Sequence, residues 1–132
     1  MGYNAELWGS EGWHFIHFIC LNYPDQPTEA DKREYKKFFE LLPIVMPCPP
    51  CGYHFEENMK THPIRLDSKK DLFEWSIDMH NKVNAMNEKK ILSYEEAYAE
   101  IWENTKRRVD SEAQVLGSEL TLLLSKIKSN KR

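Results

Sequence analysis

One stretch of the sequence carries both a pair of cysteines and the expected start of a helix: PCPPCGYH, residues 47–54. Two thiols three positions apart can close a small disulfide or hold one metal ion. A helix that starts directly after Cys48 would place free backbone N–H groups beside the sulfurs, and their field favours thiolate. Pro49 and Pro50 stiffen the segment and remove two N–H donors. The stretch therefore indicates electron transfer, metal binding or plain packing.

The composition describes a soluble globular protein of one domain. The chain has 132 residues, of which 41% are hydrophobic and 30% charged, and its formal net charge is −3. A chain of this length can bury a core without covalent staples. No apolar run approaches the length that spans a membrane, and the first residues lack the basic and apolar regions of a secretory signal. We therefore expect a cytoplasmic protein with no membrane partner.

Positive charge collects at the C-terminal end of the chain. Seven Lys and Arg residues stand against three Asp and Glu residues from Thr105 onward. No aromatic residue interrupts this basic tract, so the stacking that single-stranded nucleic acids require is unsupported. We interpret the tract as a solvated tail and expect no nucleic-acid partner.

Apolar residues recur at helical spacing along most of the chain and predict five helices. The expected helices cover Leu7–Leu21, Thr28 to about Leu42, the dithiol to about Met59, about Lys69–Met86, and Ser93 to about Lys106. Pro43 is expected to stop the second helix. No stretch alternates like a strand. The predicted fold is all-α: a four-helix bundle with a short fifth helix and a C-terminal segment that is helical or disordered.

Two of these helices carry polar groups beside an apolar face. Trp13 and His17 lie four residues apart, so they share a face that could close on one flat object. The alternative is a core tryptophan beside a buried, hydrogen-bonded histidine. His80 and Asn84 also lie one turn apart and can point at one ligand. Together with Asn81 they are costly near an apolar seam unless they find hydrogen-bond partners.

Three kinds of chemistry compete for the dithiol. A zinc site could use Cys48, Cys51, His54 and His62, but the gap between the two histidines is longer than the usual spacing. A thioredoxin-like fold needs βαβ patterns around the cysteines, and the sequence has none. A redox cofactor held inside the bundle accounts at once for the dithiol and for both polar faces. We favour the cofactor and predict no metal ligand.

Four motifs in the chain resemble those of the Erv/ALR family of FAD-linked sulfhydryl oxidases, in the same order. WGSEGWHFIH, residues 8–17, is similar to the opening G-x-x-x-W-x-x-x-H, and Tyr23-Pro24 to the Tyr-Pro loop that follows it. Residues 47–51 match Pro-Cys-x-x-Cys, and residues 75–84 match W-x-x-x-x-H-N-x-V-N. The order and spacing agree over about residues 7–104.

The resemblance implies FAD as the cofactor and a role for each matched residue. Cys51 would lie against the flavin, and Cys48 would exchange with substrate dithiols through a mixed disulfide. The flavin would pass the electrons to molecular oxygen, giving hydrogen peroxide. The residues implied to bind FAD are Gly9, Trp13, His17, His80, Asn81, Val83, Asn84 and Lys89, with Lys90 and Trp102 as weaker candidates.

The resemblance also implies a homodimer whose FAD-binding domain covers residues 1–108, followed by an extension over residues 109–132. The segment EKKILS, residues 88–93, is similar to small viral members, which implies an enzyme of the host cytoplasm or the virion acting on virion proteins. Cys20 stands alone in an apolar stretch, which predicts a buried inert thiol. With no second cysteine pair to act as a shuttle, protein dithiols would reach Cys48 directly or through a separate thioredoxin-like carrier.

One alternative from another class stays open at this point. The leucine-rich segment after Val109 could bind a partner, and the whole chain would then be a helical scaffold without enzymatic activity. Loss of both paired cysteines would leave the binding of such a scaffold intact. It would abolish the activity of an oxidase.

Overall fold

The computed structural model describes residues 2–110, and these residues form five α-helices without any strand. The helices are α1 (Gly9–Leu21), α2 (Glu29–Val45), α3 (Pro49–Thr61), α4 (Lys69–Met86) and α5 (residues 94–110), preceded by a short 3-10 helix over Ala5–Leu7. The predicted all-α class is confirmed for this part of the chain. The predicted C-terminal segment lies outside the described residues from position 111 onward.

The first four helices form the predicted bundle. α1 packs chiefly against α4, α2 against α3, and α3 also touches α4. The largest fully buried side chains come from α2, α4 and the loop after α1: Tyr23, Phe39, Leu72, Trp75 and Met79. The rings of Phe39 and Trp75 meet edge to face with centroids 5.0 Å apart, which joins α2 to α4. The bundle is therefore closed by aromatic packing.

The chain divides into two compact units between Tyr94 and Glu95, so α5 lies almost wholly in the second unit. Within α5, Lys106 pairs with Glu103 at 2.9 Å and stands over the ring of Trp102, 5.9 Å from its centroid. Among residues 2–110 there is no helix with the length and apolarity needed to cross a membrane.

Two helices begin where their capping residues predict. Thr28 and Asp31 form a reciprocal capping box at the start of α2, with each side chain accepting the backbone N–H of the other residue. The Ser68 hydroxyl accepts the N–H of Asp71 at 3.1 Å at the start of α4. These bonds satisfy N–H groups that the first helical turn leaves without an intrahelical partner.

Pro43 does not stop the second helix, so that expectation is wrong: α2 continues to Val45. Pro43 has no N–H to donate to the carbonyl of Phe39, and the helix loses one hydrogen bond close to its end. It ends only before Pro47, where Met46 takes an extended conformation with ψ of 136°. A proline two residues from a helix end costs one bond without forcing the end itself.

Pro47 and Gly52 bring the start of α3 close to α2. Pro47 has no N–H for the carbonyl of Pro43, four residues before it. Gly52 approaches that same carbonyl so closely that a Cβ at this position would overlap it. The absence of a side chain at Gly52 therefore sets the contact that holds the dithiol helix against α2.

Candidate active site

The dithiol lies at the N-terminus of α3, as the sequence predicts. Cys48 and Cys51 form a disulfide with their Cα atoms 5.2 Å apart. Cys48 is the N-cap residue of α3, and its Sγ accepts the backbone N–H of Cys51 at 3.3 Å. Pro49 and Pro50 occupy the first two helical positions and contribute no N–H. A single backbone donor, the N–H of Cys51, therefore faces the sulfur of Cys48, and it favours the thiolate once the disulfide opens.

One turn below the dithiol, Phe55 links α3 to the interior of the bundle. Phe55 is 3% exposed, and its ring contacts Trp13 with centroids 6.2 Å apart and the edge of Trp75 at 6.4 Å. Cys51 and Phe55 are four residues apart, so they share one face of α3. That face is the one directed at Trp13. Cys51 therefore lies on the side of α3 that faces α1.

Among the ring pairs of the site, Trp13 and His80 are the most nearly parallel. Their planes are 3° from parallel and their centroids are 4.4 Å apart, which stacks α1 on α4. His17 lies 5.8 Å from the Trp13 centroid, and its Nε2 is 3.0 Å from Nδ1 of His80. Trp13 and His80 are half-buried, whereas His17 is 2% exposed. The predicted faces of the two helices thus meet in one aromatic cluster.

Both histidines of this cluster are neutral at physiological pH. Burial, reinforced by the nearby His80, lowers the pKa of His17 to about 3. Burial and the charge of Lys89 lower the pKa of His80 to about 4. Desolvation disfavours a charged imidazole in an aromatic surrounding. Each ring can therefore carry one proton, donate one hydrogen bond and accept another.

The asparagines of α4 hold the chain that follows this helix. The Asn81 side chain donates to the Leu92 carbonyl at 2.8 Å and accepts the Leu92 N–H at 3.1 Å. The Asn84 side chain donates to the Asn81 side-chain oxygen at 3.4 Å, and the backbone carbonyl of Asn84 accepts the N–H of Lys89 at 2.7 Å. Glu88, with φ of 57°, makes the left-handed turn that reverses the chain at this point. The loop is thereby pinned beside His80.

The structure brings most of the predicted site residues to one region. Trp13, His17 and His80 contact each other, and Lys89 lies close enough to His80 to affect its pKa. Gly9 is the first residue of α1 and lies one turn before Trp13. Val83 is half-buried on α4, one residue before Asn84. Their binding to a cofactor stays a prediction, as it does for Lys90 and Trp102.

Two residues of the region were missed in the sequence. Phe55 was not assigned a role, although its position one turn after Cys51 could have indicated a shared face. Ser76 was also missed: its hydroxyl is 2.9 Å from Nδ1 of His17 and is fully buried. A polar residue one turn before His80, inside an apolar helix face, was the available signal.

The zinc alternative gains no support from the placed side chains. Within residues 2–110, no group of three or more His, Cys, Asp and Glu side chains is arranged to hold a metal ion. The predicted inert thiol is found: Cys20 is reduced and fully buried, and burial raises its pKa to about 12.

The chain is similar to proteins of one family by family match, by sequence and by structure. Residues 10–103 match the Erv1/Alr family. A probable FAD-linked sulfhydryl oxidase of Acanthamoeba polyphaga mimivirus is 40% identical over 97 residues, which are 71% of this chain and 68% of that protein. The FAD-linked sulfhydryl oxidase of African swine fever virus is 29% identical over 98 residues, 74% of this chain and 82% of that protein.

The cellular relatives are longer proteins that share the same core. The mitochondrial FAD-linked sulfhydryl oxidase of Saccharomyces cerevisiae is 32% identical over 61% of this chain, and the match spans only 43% of the yeast protein. The crystal structure of the FAD binding domain of yeast Erv1 matches with a TM-score of 0.66 at 30% identity, over 69% of this chain and 87% of that domain. The family match, these relatives and the shared helical fold establish that the chain belongs to the Erv1/Alr family.

Proposed function

We propose that this protein is an FAD-dependent sulfhydryl oxidase, which forms disulfide bonds in protein substrates and passes the electrons to molecular oxygen. One observation carries the proposal. The disulfide of Cys48 and Cys51 opens α3, and one turn further along the same helix Phe55 contacts Trp13 of the stacked cluster. This contact supports a redox-active pair on the helix that packs against the aromatic rings of α1 and α4.

The residues of this surface fit a flavin nucleotide. Trp13 and His80 are parallel, half-buried rings, which suits contact with a planar aromatic group. His17 and His80 are neutral; both nitrogens of His17 are bonded, to Ser76 and to His80, and Nε2 of His80 is the ring nitrogen left for a ligand. Lys89 is exposed beside His80 and offers a cation for a phosphate. A tightly bound dinucleotide needs these three kinds of group together.

The chain's own sulfurs carry the thiol chemistry. A substrate thiolate attacks Sγ of Cys48, the bond between the two sulfurs breaks, and its electron pair leaves on Cys51. A second substrate thiolate then attacks the substrate sulfur of the mixed disulfide. The substrate leaves as a disulfide, and Cys48 and Cys51 are left reduced by two electrons. Bound FAD would supply the acceptor for these two electrons, which would reach molecular oxygen together with two protons, giving hydrogen peroxide.

The two cysteines are assigned different tasks because their surroundings differ. Cys51 shares the face of α3 that carries Phe55, which supports its role as the inner sulfur next to the cofactor. Cys48 precedes the helix and accepts the N–H of Cys51, so it is stabilised as the outer thiolate that substrates exchange with. We also assign FAD binding to the residues that match the family motifs and the segment after them: Gly9, Trp13, His17, His80, Asn81, Val83, Asn84 and Lys89.

Partners and setting follow from the same proposal. The substrates are protein dithiols or a separate thioredoxin-like carrier, which exchange directly with the Cys48–Cys51 pair. The viral relatives support a virus-encoded enzyme of the host cytoplasm or the virion, acting on virion proteins. We further propose a homodimer of the domain formed by residues 1–108. Sedimentation of the full chain tests the dimer.

Oxygen consumption tests the activity. Purified protein supplied with dithiothreitol should consume oxygen and form hydrogen peroxide in equal amounts. Replacing Cys48 or Cys51 by alanine should abolish consumption, whereas the buried Cys20→Ala should retain it. A protein that consumes no oxygen in the presence of added FAD would contradict the proposal. Partner binding that survives loss of both paired cysteines would then favour the scaffold alternative.

A further inference from the structure

A buried chain of hydrogen bonds runs from α1 into α4 and ends at the aromatic cluster. The Cys20 thiol lies close enough to the Ser76 hydroxyl for its pKa to be affected, and Ser76 Oγ lies 2.9 Å from Nδ1 of His17. His17 Nε2 lies 3.0 Å from Nδ1 of His80. Cys20 and Ser76 are fully buried, and His17 is 2% exposed. Because water is excluded from this chain, each proton in it must be assigned to a specific bond.

The Ser76 hydroxyl determines which group donates and which accepts in each of these hydrogen bonds. Its oxygen is 2.6 Å from the carbonyl oxygen of Phe73, one turn earlier in α4. A carbonyl can only accept, so the single hydroxyl proton of Ser76 lies in that bond. The same oxygen can then only accept from His17. Nδ1 of His17 therefore carries the ring proton.

The position of the proton on His17 fixes that of the proton on His80. A neutral imidazole has one N–H, so Nε2 of His17 is a bare acceptor. Nδ1 of His80, at 3.0 Å, must then donate to it. His80 is also neutral, which leaves its Nε2 without a proton. Within residues 2–110, this nitrogen makes no hydrogen bond, and the ring is half-buried against Trp13.

We propose that Ser76 is a positioning residue that acts through His17 to make His80 present an unprotonated Nε2, a hydrogen-bond acceptor, to the bound ligand. The inference rests on the proposed function, in which that ligand is FAD. An acceptor at this position pairs with a hydroxyl or amino group of the cofactor. It repels the oxygens of a phosphate, which leaves Lys89 as the group suited to the phosphates.

Without Ser76, no hydrogen bond in this network would fix which nitrogen of His17 and of His80 carries the proton. His17 could then hold its proton on Nε2 and donate it to His80, and His80 would turn its own N–H toward the ligand. The two imidazoles would reverse together. The fraction of protein with the correct tautomer would fall, and the apparent affinity for a hydroxyl or amino donor would fall in proportion.

Nitrogen NMR of the histidine rings tests the proposal on the purified holoprotein. Long-range 15N–1H spectra of uniformly labelled wild-type protein at neutral pH should show His17 and His80 both protonated at Nδ1. In Ser76→Ala, both rings should shift toward the Nε2-protonated form, and FAD affinity should fall at least about twofold. Ser76→Thr, which keeps the hydroxyl, should restore the wild-type pattern.

Cys20→Ala is the matched control. It removes the thiol beside Ser76 but leaves the bonds of Ser76 with Phe73 and His17, so the tautomers should not change. A wild-type His80 protonated at Nε2 would overturn the proposal even if every variant failed to fold. So would an unchanged pattern in folded Ser76→Ala. The visible absorbance of bound FAD is read in the same samples. A failure of FAD binding, which would contradict the proposed function, would therefore be detected separately from a failure of the tautomer assignment.

Discussion

The backbone N–H of Cys51 donates to the sulfur of Cys48 at 3.3 Å, and it is the first N–H that α3 has to offer. The two positions before it are prolines. A helix N-terminus stabilises a negative charge through its free N–H groups, and here the chain withholds most of them from the sulfur. The outer thiolate is therefore stabilised less than at an ordinary helix start.

Replacing Pro50 by alanine should make the outer cysteine more reactive. Alanine supplies an N–H at the second helical position, from which an N-cap acceptor is commonly bonded. An added donor of this kind contributes roughly 0.7 kcal/mol, or about a threefold higher thiolate fraction. The measurement is the rate of alkylation at mildly acidic pH in a Cys51→Ser background, where Cys48 is the accessible thiol.

Pro49→Ala is the control for that experiment. It loosens the loop to a similar degree but adds its N–H one position earlier, where it is poorly directed at the N-cap side chain. Its alkylation rate should stay near that of the parent. Equal acceleration by both variants would show that loop stiffness, and not the missing donor, governs Cys48.

Replacing Gly52 by alanine should separate the dithiol helix from α2. The new Cβ would overlap the carbonyl of Pro43, which is backbone and cannot rotate away. Overpacking of this kind costs about 1–3 kcal/mol. Urea unfolding of the flavin-free protein measures the loss. Gly9→Ala, whose Cβ would meet Ala5 at an ordinary 3.8 Å, should change stability far less, and equal losses would refute the assigned contact.

The stability of the protein should fall as the pH drops below 6.5. The pKa of His17 is lowered to about 3 and that of His80 to about 4, while both return to about 6.5 on unfolding. Between these values the unfolded chain binds two protons that the folded chain does not. The free energy of unfolding therefore falls by up to about 3 kcal/mol per pH unit near pH 5, and this loss ends above the unfolded pKa.

Urea unfolding at pH 7.5, 6.5 and 5.5, roughly one unit apart, measures this dependence. His17→Asn removes one of the two groups, so its slope should be about half that of the parent. A free energy of unfolding that is flat across this range would contradict the neutral, buried state assigned to the two rings.

Trp13 should contribute directly to FAD affinity. Its ring lies parallel to His80, and loss of an aromatic stacking partner costs a planar base about 1–3 kcal/mol. Trp13→Ala should therefore weaken FAD binding by about tenfold or more, and Trp13→Phe by less. Fluorescence titration of flavin-free protein measures both. Phe15→Ala, an exposed ring on the same helix, serves as the control, and equal weakening there would contradict the assignment.

Much of the fold could be predicted because it depends on local patterns. The caps at Thr28 and Ser68, the helical spacing of apolar residues and the helix start at Cys48 each act over a few positions. Pro43 was misjudged because the cost of one missing hydrogen bond near a helix end is smaller than the gain from continued packing. Position within the helix decided the outcome, and the residue type alone could not.

The site could be predicted only in part, for a related reason. The spacing of Trp13 and His17, and of His80 and Asn84, indicated two faces, but not that His17 would bond to His80 across the helices. The interpretation of His17 as a buried, hydrogen-bonded histidine is confirmed, and its contact with a flat ligand stays a prediction. Contacts between distant segments, such as that of Ser76, depend on the packing angle of α1 on α4.

The visible spectrum during anaerobic reduction tests the central claim most directly. The purified full chain should be yellow with FAD, and an excess of dithiothreitol without oxygen should bleach the flavin within turnover times. Admitted oxygen should restore the colour. Cys51→Ser should bind FAD equally well but should not be bleached by the thiol. A colourless chain that takes up no added FAD, or equally fast bleaching without Cys51, would contradict electron transfer from the Cys48–Cys51 pair to FAD.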